Sequence, residues 1–225
     1  MYSRLVRVVM RYPGASPVTA GYALVLASTY ALVYHVLDRD DSERLLAAIS
    51  TNVDNLARHP LAVLLASPLV IVARHVAVLD ILLVDGLGVL GCLGWLEHRY
   101  GAQRAFGIFL AGHVGGTLIS AVVVIWATST GRYPSAIHHE LDYGVSYGAI
   151  AATAALTPLV WRRLRVPWAL GTVLYPFAAA DWYEGLPDPT TIGHVVGASI
   201  GLVTGLVLTE RWRAAGPTRR NHPQG

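Results

Sequence analysis

Long apolar runs recur along the chain, and they limit its possible folds more than any other feature. A helix needs about 20 apolar residues to cross a bilayer core of roughly 30 Å. Of the 225 residues, 54% are hydrophobic and only 14% are charged. Because backbone groups in hydrocarbon must find hydrogen bonds within their own segment, such runs predict membrane-spanning helices rather than an open sheet. The sequence therefore predicts an integral, multi-pass membrane protein.

Six runs have the length and composition of a span. They are residues 18–37, 76–96, 105–126, 144–160, 166–181 and 190–209. A half-length apolar stretch at 61–73 follows Pro60 and is broken by Pro68, so it predicts an interfacial or re-entrant piece of the loop after the first span. We predict an all-α bundle of six transmembrane helices over residues 18–210. Residues 1–17 form a cytoplasmic N-terminal segment in this prediction, and residues 211–225 form a disordered cytoplasmic tail.

The distribution of arginine predicts the orientation. All 17 basic residues are Arg, and short cytoplasmic loops collect positive charge. Placing both termini in the cytoplasm puts most of them on that side, whereas most of the Asp and Glu residues fall on the other side. The cytoplasmic set is Arg4, Arg7, Arg11, Arg99, Arg104, Arg162, Arg163, Arg165, Arg211, Arg213, Arg219 and Arg220. The composition, rich in Ala, Val, Leu and Arg, favours a bacterial cytoplasmic membrane.

Several functional classes receive no support from the sequence. The net charge of +3 is accounted for by the membrane topology, so we expect no nucleic-acid partner. Cys92 is the only cysteine, which excludes a disulfide within the chain and a thiolate metal cluster. The segment His138-His139-Glu140-Leu141-Asp142 lacks the ligand spacing of a metal site and predicts a solvated external loop. We expect neither a metal nor an organic cofactor.

A serine and a histidine open two of the predicted spans at similar depth. Ser146 lies in Gly144-Val145-Ser146-Tyr147-Gly148, and His194 lies in Gly193-His194-Val195-Val196-Gly197. Both spans start on the external side in the predicted orientation, so the two side chains should lie within about one helical turn of the same level. A serine with a histidine base can act as a nucleophile. We therefore predict Ser146 and His194 as the catalytic residues.

Small residues predict which helix faces meet. His194 heads a stripe with Gly197, Gly201 and Gly205, and the fourth span repeats the same spacing from Ser146 through Ala149 and Thr153. Small residues let transmembrane backbones approach closely, and we assign this helix-packing role also to Gly144 and Gly148. The fourth span is rich in small residues on all sides, so its packing face is less defined than that of the sixth span, which the glycine stripe marks.

With these residues in place, the chain resembles the rhomboid intramembrane serine proteases, especially the divergent rhomboid-like proteins of actinobacteria. The resemblance covers roughly residues 18–210. It rests on the serine motif, on His194-Val195-Val196-Gly197-Ala198-Ser199-Ile200-Gly201, and on Gly94-Trp95-Leu96-Glu97-His98-Arg99-Tyr100-Gly101, which matches the family's Gly-x-x-Glu-x-x-x-Gly turn. It implies a six-helix bundle with a partly embedded first loop, and cleavage of the transmembrane segments of other proteins by a Ser-His dyad. Transmembrane protein substrates or clients and the lipid bilayer are the implied partners, with the oligomeric state open.

Two positions depart from the family's pattern. Tyr147 follows the serine where the family usually has glycine, and its bulk could obstruct the substrate carbonyl. Asp85 lies where the family has an oxyanion-stabilising asparagine, and a carboxylate donates no hydrogen bond unless it is protonated. These departures favour an alternative function, that of an inactive rhomboid-like protein that binds membrane-protein clients.

Other polar residues within the spans need partners, because they are costly in lipid. We expect a structural hydrogen bond between Asp85 and His113, and the alternative is that His113 supports the active site. Since the third span runs in the opposite direction, we expect His113 to lie deeper than Ser146. A proton path through Asp80, Asp85 and His113 is a third possibility, although the chain lacks the inverted repeat that is typical of transporters.

Overall fold

The computed structural model describes residue 12 and residues 14–71 and 82–214. Within these ranges the fold is helical apart from one short hairpin. The α-helices are α1 Pro17–Ala31, α2 Arg39–Ile49, α3 Val53–Arg58, α4 Pro60–Ala66, α5 Gly94–Tyr100, α6 Ala102–Ser129, α7 Val145–Ala155, α8 Arg165–Leu174 and α9 Pro189–Ala214. A π-helix, Leu32–Val36, extends α1, and a second one, Leu82–Leu93, runs directly into α5. Short 3-10 helices are Ser67–Leu69, Ser135–His139, Arg162–Leu164 and Tyr175–Ala179. The hairpin strands are β1 Trp182–Tyr183 and β2 Leu186–Pro187.

Three of the described helices are long and apolar enough to cross a membrane. They are Pro17–Val36, Ala102–Ser129 and Pro189–Arg211, with 20, 28 and 23 residues. Each coincides with one of the predicted runs, and together they support an integral membrane protein. In the stretch at 61–73, the described residues form the short apolar helix Pro60–Leu69. Residues 72 and 73 of this stretch lie outside the described ranges. Residues 76–81 of the second predicted run, and with them Asp80, also lie outside these ranges.

The fourth and fifth predicted runs form shorter helices than the apolar runs indicated. Helix α7 ends at Ala155, so its 11 residues rise only about 16 Å. Helix α8 ends at Leu174 and passes into a 3-10 turn containing Pro176, which has no N–H for the α-helical ladder. The chain then turns back through the hairpin, where Glu184 and Gly185 both have positive φ, 46° and 83°, as tight hairpin turns require.

Helix α7 lies at the centre of the bundle. It packs against α6, α9 and the π-helix Leu82–Leu93. Its alanines allow close approach on several sides, and Ala149, Ala151 and Ala155 are at most 2% exposed. The glycine stripe of α9 faces this helix: a methyl group on Gly197 would lie 2.8 Å from the carbonyl oxygen of Tyr147, and methyl groups on Gly201 and Gly205 would overlap the carbonyls of α7. The serine-bearing helix is thus held by backbone contact on its α9 side.

Glu97 attaches the first span to the bundle. Its buried carboxylate accepts hydrogen bonds from the backbone N–H of Val18 (3.0 Å), the backbone N–H of Thr19 (2.7 Å) and the hydroxyl of Thr19 (2.6 Å). The first backbone N–H groups of a helix have no partner within it, so Glu97 caps α1 from another helix. Gly101 ends α5 with φ of 86°, a conformation that glycine adopts without steric cost. The turn singled out in the sequence therefore joins α1, α5 and α6.

The first loop, residues 38–71, folds into three short helices that dock on the segment between α6 and α7. Asp38 caps α2 through the N–H of Asp41 (2.8 Å), and Asn52 caps α3 through the N–H of Asn55 (2.9 Å). Between these two helices, Ser50 and Thr51 hydrogen bond to Asp142, just before α7. This contact sets the position of the chain at the start of the serine-bearing helix.

Candidate functional site

Ser146 occupies the first turn of α7. The first backbone hydrogen bond of this helix runs from the N–H of Gly148 to the carbonyl of Gly144, at 3.2 Å. The backbone N–H groups of Val145, Ser146 and Tyr147 therefore precede the helical ladder and point out of its N-terminal end. Such groups can donate to an oxyanion that develops beside the serine.

His194 lies in the second turn of α9, whose start is well defined by Asp188. The Asp188 carboxylate accepts from the backbone N–H of Thr191 at 2.9 Å and from its hydroxyl at 2.7 Å, which caps the helix. The His194 ring meets the ring of Tyr147 edge to face, with centroids 4.9 Å apart and planes at 83°. His194 therefore lies on a capped helix, and its ring packs against the ring of Tyr147.

Ser146 and His194 line the same two cavities. The outer cavity, of about 430 Å³, is also lined by the acids Asp142, Asp181 and Asp188. The inner cavity, of about 280 Å³, lies between the π-helix, α7 and α8 and is almost entirely apolar. Within the described ranges, no hydrogen bond joins Ser146 to His194. The structure thus brings the two predicted residues to one space, with a polar side and an apolar side.

Tyr147 points away from this space. Its side chain is completely buried and lines neither cavity. It lies against Gly116 of α6 and Gly193 of α9, and its hydroxyl donates to Oδ1 of Asp142 at 2.9 Å. The obstruction expected from its bulk is therefore not seen, because the start of α7 turns the side chain into the bundle.

Asp85 and His113 do not form the expected hydrogen bond. Asp85 lines the outer cavity, and its buried Oδ1 has no hydrogen-bond partner among the described residues. His113 is completely buried, and its Nε2 lies 2.9 Å from the carbonyl oxygen of Leu64 in α4, to which it donates as the Nε2–H tautomer. The other face of this ring is covered by Gly144, where a methyl group would overlap Nδ1.

The depth predicted for His113 is also wrong. We expected it below Ser146, but its contact with Gly144 places it level with the start of α7. Gly116, one turn further along α6, similarly meets Tyr147. Ser146 therefore lies level with the middle of the 28-residue α6 and not with its C-terminal end. The prediction measured depth from the first apolar residue of each run. It was wrong here because the segment before α7 packs inside the bundle, against α6.

A family model described as "Rhomboid-like protein" matches residues 11–213. The chain belongs to the rhomboid-like protein family. No curated protein and no solved structure matches it.

Asp142 is the residue of this rhomboid-like protein that the sequence did not single out. It was expected in a solvated loop, but its backbone N–H donates to Ser50 Oγ (2.9 Å) and its Oδ2 accepts from Thr51 Oγ1 (3.2 Å). Burial raises the pKa of Asp142 to about 6, although the hydroxyls of Tyr147 and Thr51 oppose that rise by hydrogen bonding to its carboxylate. Burial and the nearby Asp188 and Asp181 also raise the pKa of Glu140.

A second polar contact joins the first loop to the segment between α6 and α7. His139 Nδ1 lies 2.7 Å from Asp54 Oδ2, so the 3-10 helix Ser135–His139 is joined to α3. Among the described residues, no group of three or more His, Cys, Asp or Glu side chains converges in the way a metal ion requires. In this rhomboid-like protein, polar contacts therefore connect the first loop and the segment after α6 to the start of α7.

Proposed function

We propose that this rhomboid-like protein is an intramembrane serine protease that cleaves transmembrane segments with Ser146 as nucleophile and His194 as general base. The observation that supports it most directly is the shared lining of the two cavities by these side chains. The inner cavity suits an apolar segment entering from lipid, and the outer cavity suits the water that deacylation needs. The buried position of Tyr147 leaves both spaces open.

In this mechanism His194 accepts the Ser146 proton while the serine oxygen attacks the scissile carbonyl. The backbone N–H groups at the start of α7 donate to the developing oxyanion. His194 then gives the proton to the leaving amine, which departs as the peptide bond breaks. Water from the outer cavity attacks the acyl-enzyme while His194 accepts its proton. His194 then returns this proton to the Ser146 oxygen as the ester bond breaks and the new carboxyl group leaves. No metal or organic cofactor takes part.

The proposal includes the topology that places this chemistry. Six spans with both termini in the cytoplasm, in a bacterial cytoplasmic membrane, put the outer cavity on the external side. The predicted cytoplasmic side then holds Arg162, Arg163 and Arg165, which precede or begin α8. The substrate therefore meets Ser146 from the bilayer, while water arrives from outside.

Labelling with a fluorophosphonate probe tests the dyad. We expect purified protein in detergent or liposomes to be labelled, and Ser146→Ala and His194→Ala to lose the label. Ser28→Ala and His98→Ala are matched controls, since both side chains are exposed and lie outside the two cavities. Labelling that survives Ser146→Ala, or its absence beside a labelled active rhomboid, would contradict the proposal.

Two observations favour a second function, the binding of membrane-protein clients without cleavage. Ser146 and His194 are not hydrogen bonded, and Asp85 offers a carboxylate where an oxyanion needs a donor. A client-binding protein would retain a transmembrane peptide in the apolar cavity. In that case Ile150→Trp, which fills the inner cavity, should abolish capture of the peptide, whereas Ser146→Ala should leave capture unchanged and the wild type should yield no cleavage product.

A further inference from the structure

We propose that Asp142 and Tyr147 are positioning residues that hold the His194 ring in the orientation of a general base. This inference rests on the proposed function. Among the described residues, no carboxylate forms an ion pair with His194, and the structure supplies one indirectly. Asp142 accepts a hydrogen bond from the Tyr147 hydroxyl, and the Tyr147 ring packs against the His194 ring.

The Tyr147 ring is bounded on two sides by backbone, and its hydrogen bond to Asp142 fixes its position between them. A methyl group on Gly193 would lie 2.7 Å from its Cε1, and a methyl group on Gly116 would lie 3.2 Å from its Cδ2. The ring is therefore enclosed by the backbones of α6 and α9, next to the residue that precedes His194. Aromatic rings favour such an edge-to-face arrangement, in which the edge of one ring meets the face of the other. This packing limits the orientations of the His194 ring, another part of which lines the two cavities.

The carboxylate that anchors the tyrosine is itself held by the first loop. The backbone N–H of Thr51 donates to the Asp142 carbonyl (2.9 Å), and Ser50 accepts from the Asp142 N–H (2.9 Å). Oδ2 accepts from the Thr51 hydroxyl, which leaves Oδ1 for Tyr147 at 2.9 Å. The contact chain thus runs from the first loop through Asp142 and Tyr147 to His194, and it ends at the proposed general base.

Tyr147→Phe tests the role while keeping the ring. We expect Ser146 to react with the fluorophosphonate about tenfold more slowly, because misplacement of a reacting group by about 1 Å can cost about 10²-fold. Asp142→Ala should slow it similarly, and Asp142→Asn should restore much of the rate, since an amide oxygen still accepts from the tyrosine. The double variant Asp142→Ala with Tyr147→Phe should be no slower than either single variant, since both act through one contact.

Tyr143→Phe is the matched control. Its hydroxyl donates to the carbonyl of Leu46 at 3.0 Å, so it also joins the first loop to this segment, but its ring is not the one that packs on His194. If Tyr147→Phe and Tyr143→Phe slow labelling equally, the positioning role is overturned and the contact serves only to dock the loop.

A spectroscopic measurement keeps the inference separate from the proposed function. The ring nitrogens of ¹⁵N-labelled histidine report the environment of His194, with His194→Gln assigning its signals. We expect these signals to move in Tyr147→Phe and to stay in place in Tyr143→Phe. Absent labelling of the wild type would end the protease proposal, and unchanged His194 signals in Tyr147→Phe would end the positioning role. The two results are independent.

Discussion

At the scale of single residues, Asp142 makes the stability of the protein depend on pH. Its pKa is raised in the folded protein from 3.8 to about 6 by burial, so folding favours its protonated form. Its contribution to the free energy of unfolding is greatest below pH 3.8. This contribution is lost as the pH rises through about 6, because the carboxyl group must then ionise in its buried site. We expect the melting temperature of wild type, relative to Asp142→Asn, to fall between pH 4 and pH 7. A difference that stays constant across this range would contradict the burial of the carboxylate.

Glu97 gives a second residue-scale prediction. Its carboxylate accepts three hydrogen bonds from the start of α1, and hydrogen bonds to a charged group contribute about 1.5–3 kcal/mol each at most. Glu97→Ala should lower the free energy of unfolding by several kcal/mol and reduce the yield of folded protein in detergent. Glu43→Ala is the comparison, because its exposed ion pair with Arg39 should be worth about 0–1 kcal/mol. Equal losses in the two variants would exclude the capping role.

The sequence indicates a residue's role when the signal is local, and it hides that role when the partners lie far away along the chain. Ser146 and His194 stand out because polar side chains are rare in apolar runs, and both line the same two cavities. Asp142 did not stand out, because an acid in a loop looks solvated and its partners Ser50 and Thr51 lie about 90 residues earlier. The direction of the Tyr147 side chain was equally hidden, since it depends on where α7 begins.

At the scale of helices, the contact between α7 and α9 depends on glycine. A side chain at Gly201 would overlap the backbone of Ala151, which cannot move aside as a flexible side chain would. Gly201→Ala should therefore cost about 1–3 kcal/mol. Gly107→Ala, in α6, is the control: nothing lies within 4 Å of its added methyl group, and alanine favours the helix by about 1 kcal/mol. Thermal unfolding of both variants measures the difference, and a Gly201 variant as stable as wild type would contradict this packing.

Helix lengths were less predictable than helix contacts. The glycine periodicity of α9 indicated its packing face, because a repeated small residue is a local signal. The ends of α7 and α8 were not indicated, since the apolar runs continue through the turns at residues 156–160 and 175–179. An apolar residue indicates contact with lipid or with the protein core. Turns between short helices can have the same surroundings, so hydropathy alone does not show where a helix ends.

At the scale of the whole molecule, the proposed topology separates two exposed loops. Ser135 lies in the 3-10 helix after α6, on the proposed external side, and Arg162 lies before α8 on the proposed cytoplasmic side. In sealed right-side-out vesicles, a membrane-impermeant maleimide should modify Ser135→Cys and spare Arg162→Cys. Cys92 is buried and adds little background. The opposite labelling pattern would reverse the orientation, and with it the side from which water reaches the cavity.

The central claim is that this rhomboid-like protein cleaves transmembrane segments with Ser146 and His194. The most direct test is a fluorescent transmembrane reporter co-reconstituted with the protein in liposomes, with cleavage products identified by mass. We expect wild type and Ser28→Ala to cut the reporter, and Ser146→Ala and His194→Ala to lose cutting while remaining folded. A reporter that stays intact with wild type across a panel of transmembrane sequences, or that is cut equally by Ser146→Ala, would contradict the account.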